Sequence, residues 1–290
     1  MGKLPVLLLV FNRPNETKQV FEEIKKYQPD KLFISCDGAR EKDRNNQNKV
    51  KEILSNINWN CDVKYNYSDI NKGCKEAVSS GITWFFSNVK EGIILEDDCL
   101  PSKSFFAYCE SLIKKYRENK KIFMISGFSP VRINIEEDYI FSKQTLVWGW
   151  ATWADRWETY DIEMVKLDQI KNNLEIPNKK QRKDTYKKLL IQREKQINTW
   201  DNQLQYTLLQ QKSLSIIPKK SLIQNIGFSN EATHTVLEYD VAKVKRHDLK
   251  FPLNHPKKVV HNESEDYLIY KEFKITPLKF ISAVGRYLIK

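Results

Sequence analysis

Three consecutive carboxylates, Glu96, Asp97 and Asp98, directly follow the apolar run at residues 93–95. The apolar run predicts a buried strand, and an unpaired carboxylate is costly inside a core, so the acids should emerge at the strand's end into water, a cation or a ligand. Alternation along a strand places Glu96 and Asp98 on one face and Asp97 on the other. Carboxylate oxygens at the carboxyl edge of an α/β sheet suit a hard divalent ion, which commonly holds a diphosphate. A plainer interpretation is that the acids cap a helix beginning near Ser102.

The elements that must position these acids alternate between strand and helix over residues 1–128. Strands are predicted at residues 4–11, 31–35, 63–67, 92–95 and 122–126. Helices are predicted between them, the first capped by Asn15 and the second spanning residues 43–56. This alternation implies βαβ crossovers and a mostly parallel sheet. Residues 1–128 are therefore predicted to form a Rossmann-like half.

Polar side chains follow each predicted parallel strand, and they are Asn12, Arg13, Asp37, Lys72 and the acid triplet. Parallel sheets bind ligands at this edge, so the set favours a nucleotide site. Asp37 could accept hydrogen bonds from a base or ribose, and Arg13 and Lys72 could contact phosphates. The chain has no GxxxxGK[ST] loop and no GxGxxG after its first strand, which argues against kinases, ATPases and dinucleotide enzymes.

Beyond residue 128 the pattern changes to short strands, predicted at residues 138–142, 145–147 and 214–218. The first two lead into a segment at residues 148–157 that holds four of the chain's seven tryptophans. Such dense tryptophan is typical of core packing, but flat aromatic faces also stack on sugar rings. Trp148 and Trp150 are thus candidates for acceptor or sugar binding, and Gly149 would let backbone approach a ligand.

The charge of the chain and its cysteines limit the class of protein. A net charge of +11 indicates an anionic partner, and the very basic helix predicted at residues 179–196 is best explained as a solvated face. Five cysteines without CxxC or Cys/His spacing predict neither a disulfide framework nor a zinc site, which favours a reducing cytoplasm. No stretch approaches the roughly 18 apolar residues of a membrane span.

Several of these segments, taken in order, resemble glycosyltransferases with the GT-A fold, and more narrowly the N-acetylglucosaminyltransferase I type and its bacterial relatives in surface-polysaccharide synthesis. The resemblance covers roughly residues 4–235 and is most specific at the acid triplet, which is followed by Pro101 and by paired aromatics. The segments are Asn12-Arg13-Pro14, residues 96–106, Trp148-Gly149-Trp150, Trp200-Asp201 and residues 225–234.

The resemblance implies a role for particular residues. Asp98 would bind the metal, Mn²⁺ or Mg²⁺, of a nucleotide-sugar diphosphate, and Asp201 would act as general base. Asp37 resembles the base-binding acid, whereas Glu96 and Asp97 would orient the sugar or the metal's waters. His234, at the end of the last of these segments, could lie near the diphosphate or metal, or it could be structural. The family pattern can hold two adjacent acids where this chain has Asp201-Asn202.

The predicted organisation is a nucleotide-sugar-binding half at residues 1–128, an acceptor-binding and catalytic half of the same GT-A domain at residues 129–235, and an extension at residues 236–290. The donor is expected to be UDP-linked and GlcNAc-like, and the acceptor a saccharide or a lipid-linked oligosaccharide. No nucleic-acid partner is expected. A basic amphipathic helix at residues 275–289 would either lie in the anionic inner membrane face or pack on protein.

Two other classes fit parts of the sequence. A nucleotidyltransferase making a nucleotide-sugar would share the fold, but such enzymes usually carry a glycine-rich loop after the first strand, and residues 12–15 contain no glycine. A non-enzymatic polysaccharide- or nucleic-acid-binding protein would explain the charge and the tryptophans. It would leave the acid triplet without a role.

Overall fold

The structure is a computed structural model that describes residues 2–228 and 241–273. His234 and the predicted helix at residues 275–289 lie outside the described residues. The strands of the described part are β1 (Val6–Val10), β2 (Lys31–Cys36), β3 (Asp62–Tyr67), β4 (Glu91–Glu96), β5 (Cys99–Pro101), β6 (Ile122–Ser126), β7 (Tyr139–Ser142), β8 (Trp150–Trp153), β9 (Leu214–Pro218) and β10 (Ile223–Asn225). Its α-helices are α1 (Pro14–Tyr27), α2 (Arg44–Ser55), α3 (Cys74–Phe86), α4 (Lys103–Tyr116), α5 (Ala154–Trp157), α6 (Leu167–Ile170), α7 (Lys179–Lys195), α8 (Asp201–Gln210) and α9 (Glu263–Phe273).

The central sheet has eight strands in the order β3-β2-β1-β4-β8-β6-β9-β7. Strands β1 to β4 pair in parallel, and β6 pairs in parallel with β9. Strand β8 runs antiparallel to both β4 and β6, and β7 runs antiparallel to β9. The predicted α/β class, with a mostly parallel sheet flanked by helices, is confirmed. Strands from both sides of residue 128 join the same sheet.

Two cores cover the faces of this sheet, because successive strand side chains point to opposite sides. In β1, Val6, Leu8 and Val10 pack with α1, α2 and α4, whereas Leu7 and Leu9 pack with α3 and α8. All five side chains of β1 are buried, as expected for a parallel strand covered on both faces. The ends of the strands are therefore the places where polar side chains can reach solvent.

Some predicted boundaries are wrong. Helix α1 begins at Pro14 with Arg13 at its N-cap position, and no side chain caps it, so Asn15 is not the cap. Proline already suits the first helical position because it lacks the N–H that a cap would satisfy. No strand forms at residues 145–147; the backbone N–H of Thr145 instead donates to Gln205 Oε1 at 3.0 Å. The strand of this region is β8, formed by the tryptophan segment itself.

A buried carboxylate joins α9 to the sheet and to α7. Asp266 is fully buried, and it accepts hydrogen bonds from the Ser142 hydroxyl, the Lys143 backbone N–H at 3.0 Å and Gln181 Nε2 at 2.8 Å. Burial would raise the pKa of Asp266, but the contacts with His261, Ser142 and Gln181 outweigh it and hold the pKa below its usual range. The ionised carboxylate is thus the stable form in the fold.

Among the helices of residues 2–228 and 241–273, none has the combination of length and apolar character needed to cross a bilayer.

We predict that Asp266→Ala lowers the free energy of unfolding by about 1–3 kcal/mol, because it leaves buried donors without an acceptor. Glu263→Ala, at an exposed position of the same helix, is the control and should change it by less than about 0.5 kcal/mol. Urea denaturation at neutral pH measures both. A depressed pKa stabilises the fold above the unfolded value of about 4, so the difference from wild type should shrink as pH falls below it. Equal stability of D266A and wild type at pH 7 would contradict this role.

Candidate functional site

A cleft of about 2150 Å³ opens where the carboxyl ends of β1, β2 and β4 meet. Its walls come from both sides of residue 128, because the loop before α8 and the segment after β10 close over the sheet edge. Eight of the residues predicted as site residues line it, and they are Asn12, Arg13, Asp37, Glu96, Asp97, Asp98, Trp148 and Asp201. The acids and Asp201, which are a hundred positions apart in the sequence, therefore share one cavity.

The acid triplet is held by the loop that follows β1. Arg13 Nη1 lies 2.6 Å from Asp98 Oδ2 and 3.3 Å from Asp97 Oδ1. The Phe11 backbone N–H donates to Asp97 Oδ2 at 3.1 Å. Because β4 ends at Glu96, Asp97 and Asp98 lie in a turn, and both reach Arg13. The prediction that Asp97 points to the opposite face is therefore wrong.

The acids do not cap the helix that follows them. Ser102 occupies the N-cap position of α4 without a side-chain hydrogen bond to the helix. The backbone N–H of Ser104 in the first turn donates instead to Asp248 Oδ1 at 3.0 Å. The plainer interpretation of the triplet is thus excluded, and among residues 2–228 and 241–273 Arg13 is the one cation that pairs with its carboxylates.

The acid triplet bears more negative charge than Arg13 neutralises. Burial, followed by the charges of Asp98 and Asp97, raises the pKa of Glu96 to about 8, and the charge of Asp201 contributes in the same direction. Burial and the charge of Asp98 raise the pKa of Asp97 to about 7. Arg13 opposes both shifts without cancelling them. A further cation would relieve this repulsion.

A glycine leaves room for the Asp98 carboxylate. Strand β10 pairs antiparallel with β5, and the Ile226 N–H donates to the Asp98 backbone oxygen at 2.8 Å, so the next residue lies over the acid. A Cβ on that residue, Gly227, would lie 2.2 Å from Asp98 Oδ2. Only glycine leaves room for the carboxylate here, and no local sequence pattern indicates this long-range contact.

The donor chemistry fits a hard divalent cation. Carboxylate oxygens are the ligands that Mg²⁺ and Mn²⁺ prefer, and the site carries uncompensated negative charge. Within residues 2–228 and 241–273, no three His, Cys, Asp or Glu side chains are arranged to hold a metal ion. That Asp98 holds the ion together with oxygens of a bound diphosphate and water, as is usual for Mg²⁺, stays a prediction.

Asp37 stabilises the loop before α3. Its two carboxylate oxygens accept from the backbone N–H groups of Gly38, Lys72 and Gly73 at 2.9–3.1 Å. The carboxylate thus orders the β2 and β3 ends of the cleft, and its contact with a donor base stays a prediction. Lys72 contributes one of these N–H groups, its side chain is exposed, and its contact with a phosphate stays a prediction.

Arg40 and Asp43 also line the cleft, and neither was predicted as a site residue. Asn12 donates from Nδ2 to Asp43 Oδ1 at 2.7 Å, and Arg40 Nε donates to Asp43 Oδ2 at 2.5 Å. Burial would raise the pKa of Asp43, but these hydrogen bonds outweigh it and keep the pKa low. Asn12 therefore supports the wall through Asp43. The sequence offered only an acid at a predicted helix start.

The tryptophan segment positions Asp201 instead of binding a ligand at Trp150. Trp150 is buried and stacks on Trp200, with ring centroids 5.9 Å apart and planes at 23°. The Tyr160 hydroxyl donates to the Trp200 backbone oxygen at 3.1 Å. The residue after Trp200 is Asp201, the first residue of α8, and its Oδ1 accepts from the Thr199 hydroxyl.

The neighbours of Trp150 divide between cleft and core. Trp148 is half-buried, lines the cleft and packs edge-on against Phe228 at 5.6 Å. Gly149 is buried with φ of 62°, and a Cβ there would lie 2.5 Å from Ile223 Cδ1, so glycine is required by β10 packing. The predicted ligand contacts of Gly149 and Trp150 are thus replaced by packing contacts, whereas Trp148 remains available to a ligand.

The sequence matches no protein-family model, and no curated protein matches it significantly. Among solved structures, the chain is similar to a mannosyltransferase from Pyrobaculum calidifontis in complex with GDP-Man and Mn²⁺, at 9% identity and a TM-score of 0.37, over 52% of this chain and less than half (45%) of that one. It is also similar to an apo UDP-glucose pyrophosphorylase, at 12% identity and a TM-score of 0.38, over 72% of this chain and 89% of that one. A third similar structure is a UTP-bound UGPase from Acinetobacter baumannii, at 10% identity and a TM-score of 0.38, over 77% of this chain and 87% of that one. Because these TM-scores are low, the function proposed below rests on the geometry of the cleft.

We predict that Gly227→Ala weakens Mn²⁺ binding by at least about tenfold, because the new methyl group must displace the Asp98 carboxylate. Titration of free Mn²⁺ by electron paramagnetic resonance, with a nucleoside diphosphate present, measures the affinity. Thermal unfolding of the same sample verifies that the variant is folded. Unchanged Mn²⁺ affinity in a folded variant would show that Asp98 does not hold the ion.

Proposed function

We propose that the protein is a metal-dependent, inverting glycosyltransferase of the GT-A fold that moves a sugar from a nucleoside diphosphate donor to a glycan acceptor. The observation that carries the proposal is that the acid triplet and Asp201 line one cleft at the carboxyl edge of the parallel strands. In open α/β sheets this edge is where ligands bind. The acid triplet and Asp201 lie in different surroundings. This suits a reaction that needs neutralisation of charge at one place and removal of a proton at another.

The triplet serves the leaving group. Sugar transfer from a nucleotide-sugar releases a diphosphate, and a divalent cation, when bound, neutralises its charge. Asp98 would hold that cation, and Arg13, which already lies between Asp97 and Asp98, would add positive charge at the same place. Glu96 and Asp97 would orient the sugar and the water molecules of the ion. Asn12, Asp37 and the loop that Asp37 orders would bound the nucleotide.

Asp201 serves the acceptor. It begins α8, is partly exposed, and lines the same cleft as Glu96. The Thr199 hydroxyl fixes one carboxylate oxygen, which leaves the other to accept a proton from an acceptor hydroxyl. Attack from the side of Asp201, opposite the leaving diphosphate, inverts the anomeric centre. Trp148 would pack on a sugar ring.

The finer assignments belong to the same proposal. We propose a UDP-linked, GlcNAc-like donor, a saccharide or lipid-linked acceptor in bacterial surface glycan synthesis, and a cytoplasmic enzyme. Residues 1–128 would bind the nucleotide, residues 129–235 would contribute the acceptor side, and residues 236–290 would form an extension. Within these, His234 would stand near the diphosphate, and the helix at residues 275–289 would contact membrane or protein.

The competing nucleotidyltransferase function needs a loop after β1 that surrounds a triphosphate. That loop here is short and contains Phe11, Asn12 and Arg13. Its backbone N–H at Phe11 and its arginine are both bonded to the acid triplet. The geometry therefore favours transfer of the sugar over formation of the nucleotide-sugar.

We predict that Asp201→Asn lowers turnover by roughly 10²–10⁴-fold while nucleotide affinity stays near that of wild type, because only proton removal is lost. Sugar transfer is measured with a panel of nucleotide-sugars and oligosaccharide acceptors. Calorimetry with UDP and Mn²⁺ supplies the affinity. Wild-type turnover in D201N would move the base elsewhere.

We predict that UDP binding requires Mn²⁺ or Mg²⁺ and that Asp98→Asn weakens it by at least about tenfold. Calorimetry with and without chelator measures the dependence. Glu91→Gln, at the opposite end of β4, is a matched acid-to-amide control that should bind UDP as wild type does. Equal UDP affinity with and without the ion, or pyrophosphate release from UTP and a sugar phosphate, would contradict a metal-dependent transferase.

A further inference from the structure

A second, smaller depression lies beside the cleft, on the surface of α7. This α7 groove has a volume of about 540 Å³, and its surface is mainly apolar. The residues that line it include Lys187, Lys188, Ile191, Ile197, Thr199 and Asn202. Spacings of three and four place Lys187, Lys188 and Ile191 on one side of the helix. The groove therefore combines an apolar floor with ammonium groups at its rim.

The α7 groove is continuous with the cleft. Lys188, Ile197, Thr199 and Asn202 border both cavities. Of these, Thr199 donates a hydrogen bond from its hydroxyl to the carboxylate of Asp201. A molecule that fills the groove thus ends beside the carboxylate proposed as general base.

The exposed apolar floor is held in place. Ile197 is 43% exposed although it is aliphatic. Its backbone oxygen accepts from Gln192 Nε2 at 2.6 Å and from the Thr199 N–H at 2.8 Å, and Asn202 Nδ2 donates to Gln192 Oε1 at 3.2 Å. These bonds hold the turn after α7, and the Ile197 side chain lies exposed on that turn. A preorganised apolar surface of this kind is typical of a binding site.

The rim is positively charged. Lys187 and Lys188 are exposed, and neither forms an ion pair within the described ranges, 2–228 and 241–273. The one acid of the groove, Asp184, is engaged by the Tyr270 hydroxyl and lies 4.0 Å from Lys180. Two ammonium groups beside an aliphatic surface fit a ligand in which an anionic group joins an aliphatic chain.

We propose that the α7 groove binds the lipid-phosphate part of the acceptor, with the first carbons of its aliphatic chain on Ile191 and Ile197 and its phosphate at Lys187 and Lys188. This assignment rests on the proposed function, and it makes the acceptor a saccharide that is joined to a lipid through a phosphate. The sugar attached to that phosphate would extend toward Asp201. A nucleic acid or an acidic peptide would use the ammonium groups but would leave the aliphatic floor uncovered.

Octyl phosphate, below its micellar concentration, is the probe, and calorimetry measures its binding to the full chain. Octyl glucoside has the same chain without the phosphate, and inorganic phosphate has the charge without the chain. The groove variants are Lys187→Gln with Lys188→Gln, which removes the charges, and Ile197→Ser, which removes the apolar floor. The matched control is Lys179→Gln with Arg182→Gln, which removes two charges from α7 away from the groove.

We predict that wild type binds octyl phosphate more tightly than either partial probe, and that both groove variants weaken this binding by at least about tenfold while the control does not. Absence of octyl phosphate binding by wild type, an equal loss in the control, or equally tight binding of inorganic phosphate would overturn the proposal. UDP binding in Mn²⁺, measured on the same samples, separates the two claims. If the protein binds octyl phosphate but not UDP, the transferase proposal is contradicted and the groove proposal stands. If it binds UDP but not octyl phosphate, only the groove proposal is contradicted.

Discussion

The concentration of negative charge where β4 ends is the constraint on which the cleft depends. Three adjacent carboxylates are stable there because β1 lies alongside in parallel, with Leu9 opposite Glu96, and brings the Phe11 N–H and the Arg13 guanidinium to the acids. One guanidinium does not balance three carboxylates, and the pKa values of Glu96 and Asp97 stay raised. A site in this state favours cations, and it favours anionic ligands only when a cation accompanies them.

The second half of the chain supplies the opposite wall by packing. The stacking of Trp150 on Trp200 fixes the start of α8, and Asn198 accepts from the Lys75 N–H at 2.8 Å, which joins the same loop to the start of α3. Asp201 thereby takes its position from β8, α3 and α8 together. Aromatic density that suggests a sugar platform in the sequence thus has a different use, which is to hold a carboxylate at a defined place across from the acids.

The sequence predicted the α/β class and the parallel β1–β4 sheet well, because buried parallel strands leave continuous apolar runs and end in polar residues. It predicted that Asp98 and Asp201 share a site only through resemblance, since no local pattern joins positions a hundred residues apart. It failed where one residue has two local explanations: Gly149 and Trp150 suit a ligand or a core equally well. It also missed Gly227, which lies against Asp98 only because β10 pairs with β5, and Asp43, which reaches Asn12 only once the chain has folded.

The most direct measurement is a crystal structure of the protein with UDP and Mn²⁺. We expect the ion about 2.1 Å from a carboxylate oxygen of Asp98, with the diphosphate bound to the ion and the Asp201 carboxylate facing the place of the transferred sugar. UDP bound away from the end of β4, or an ion that does not contact Asp98, would contradict it.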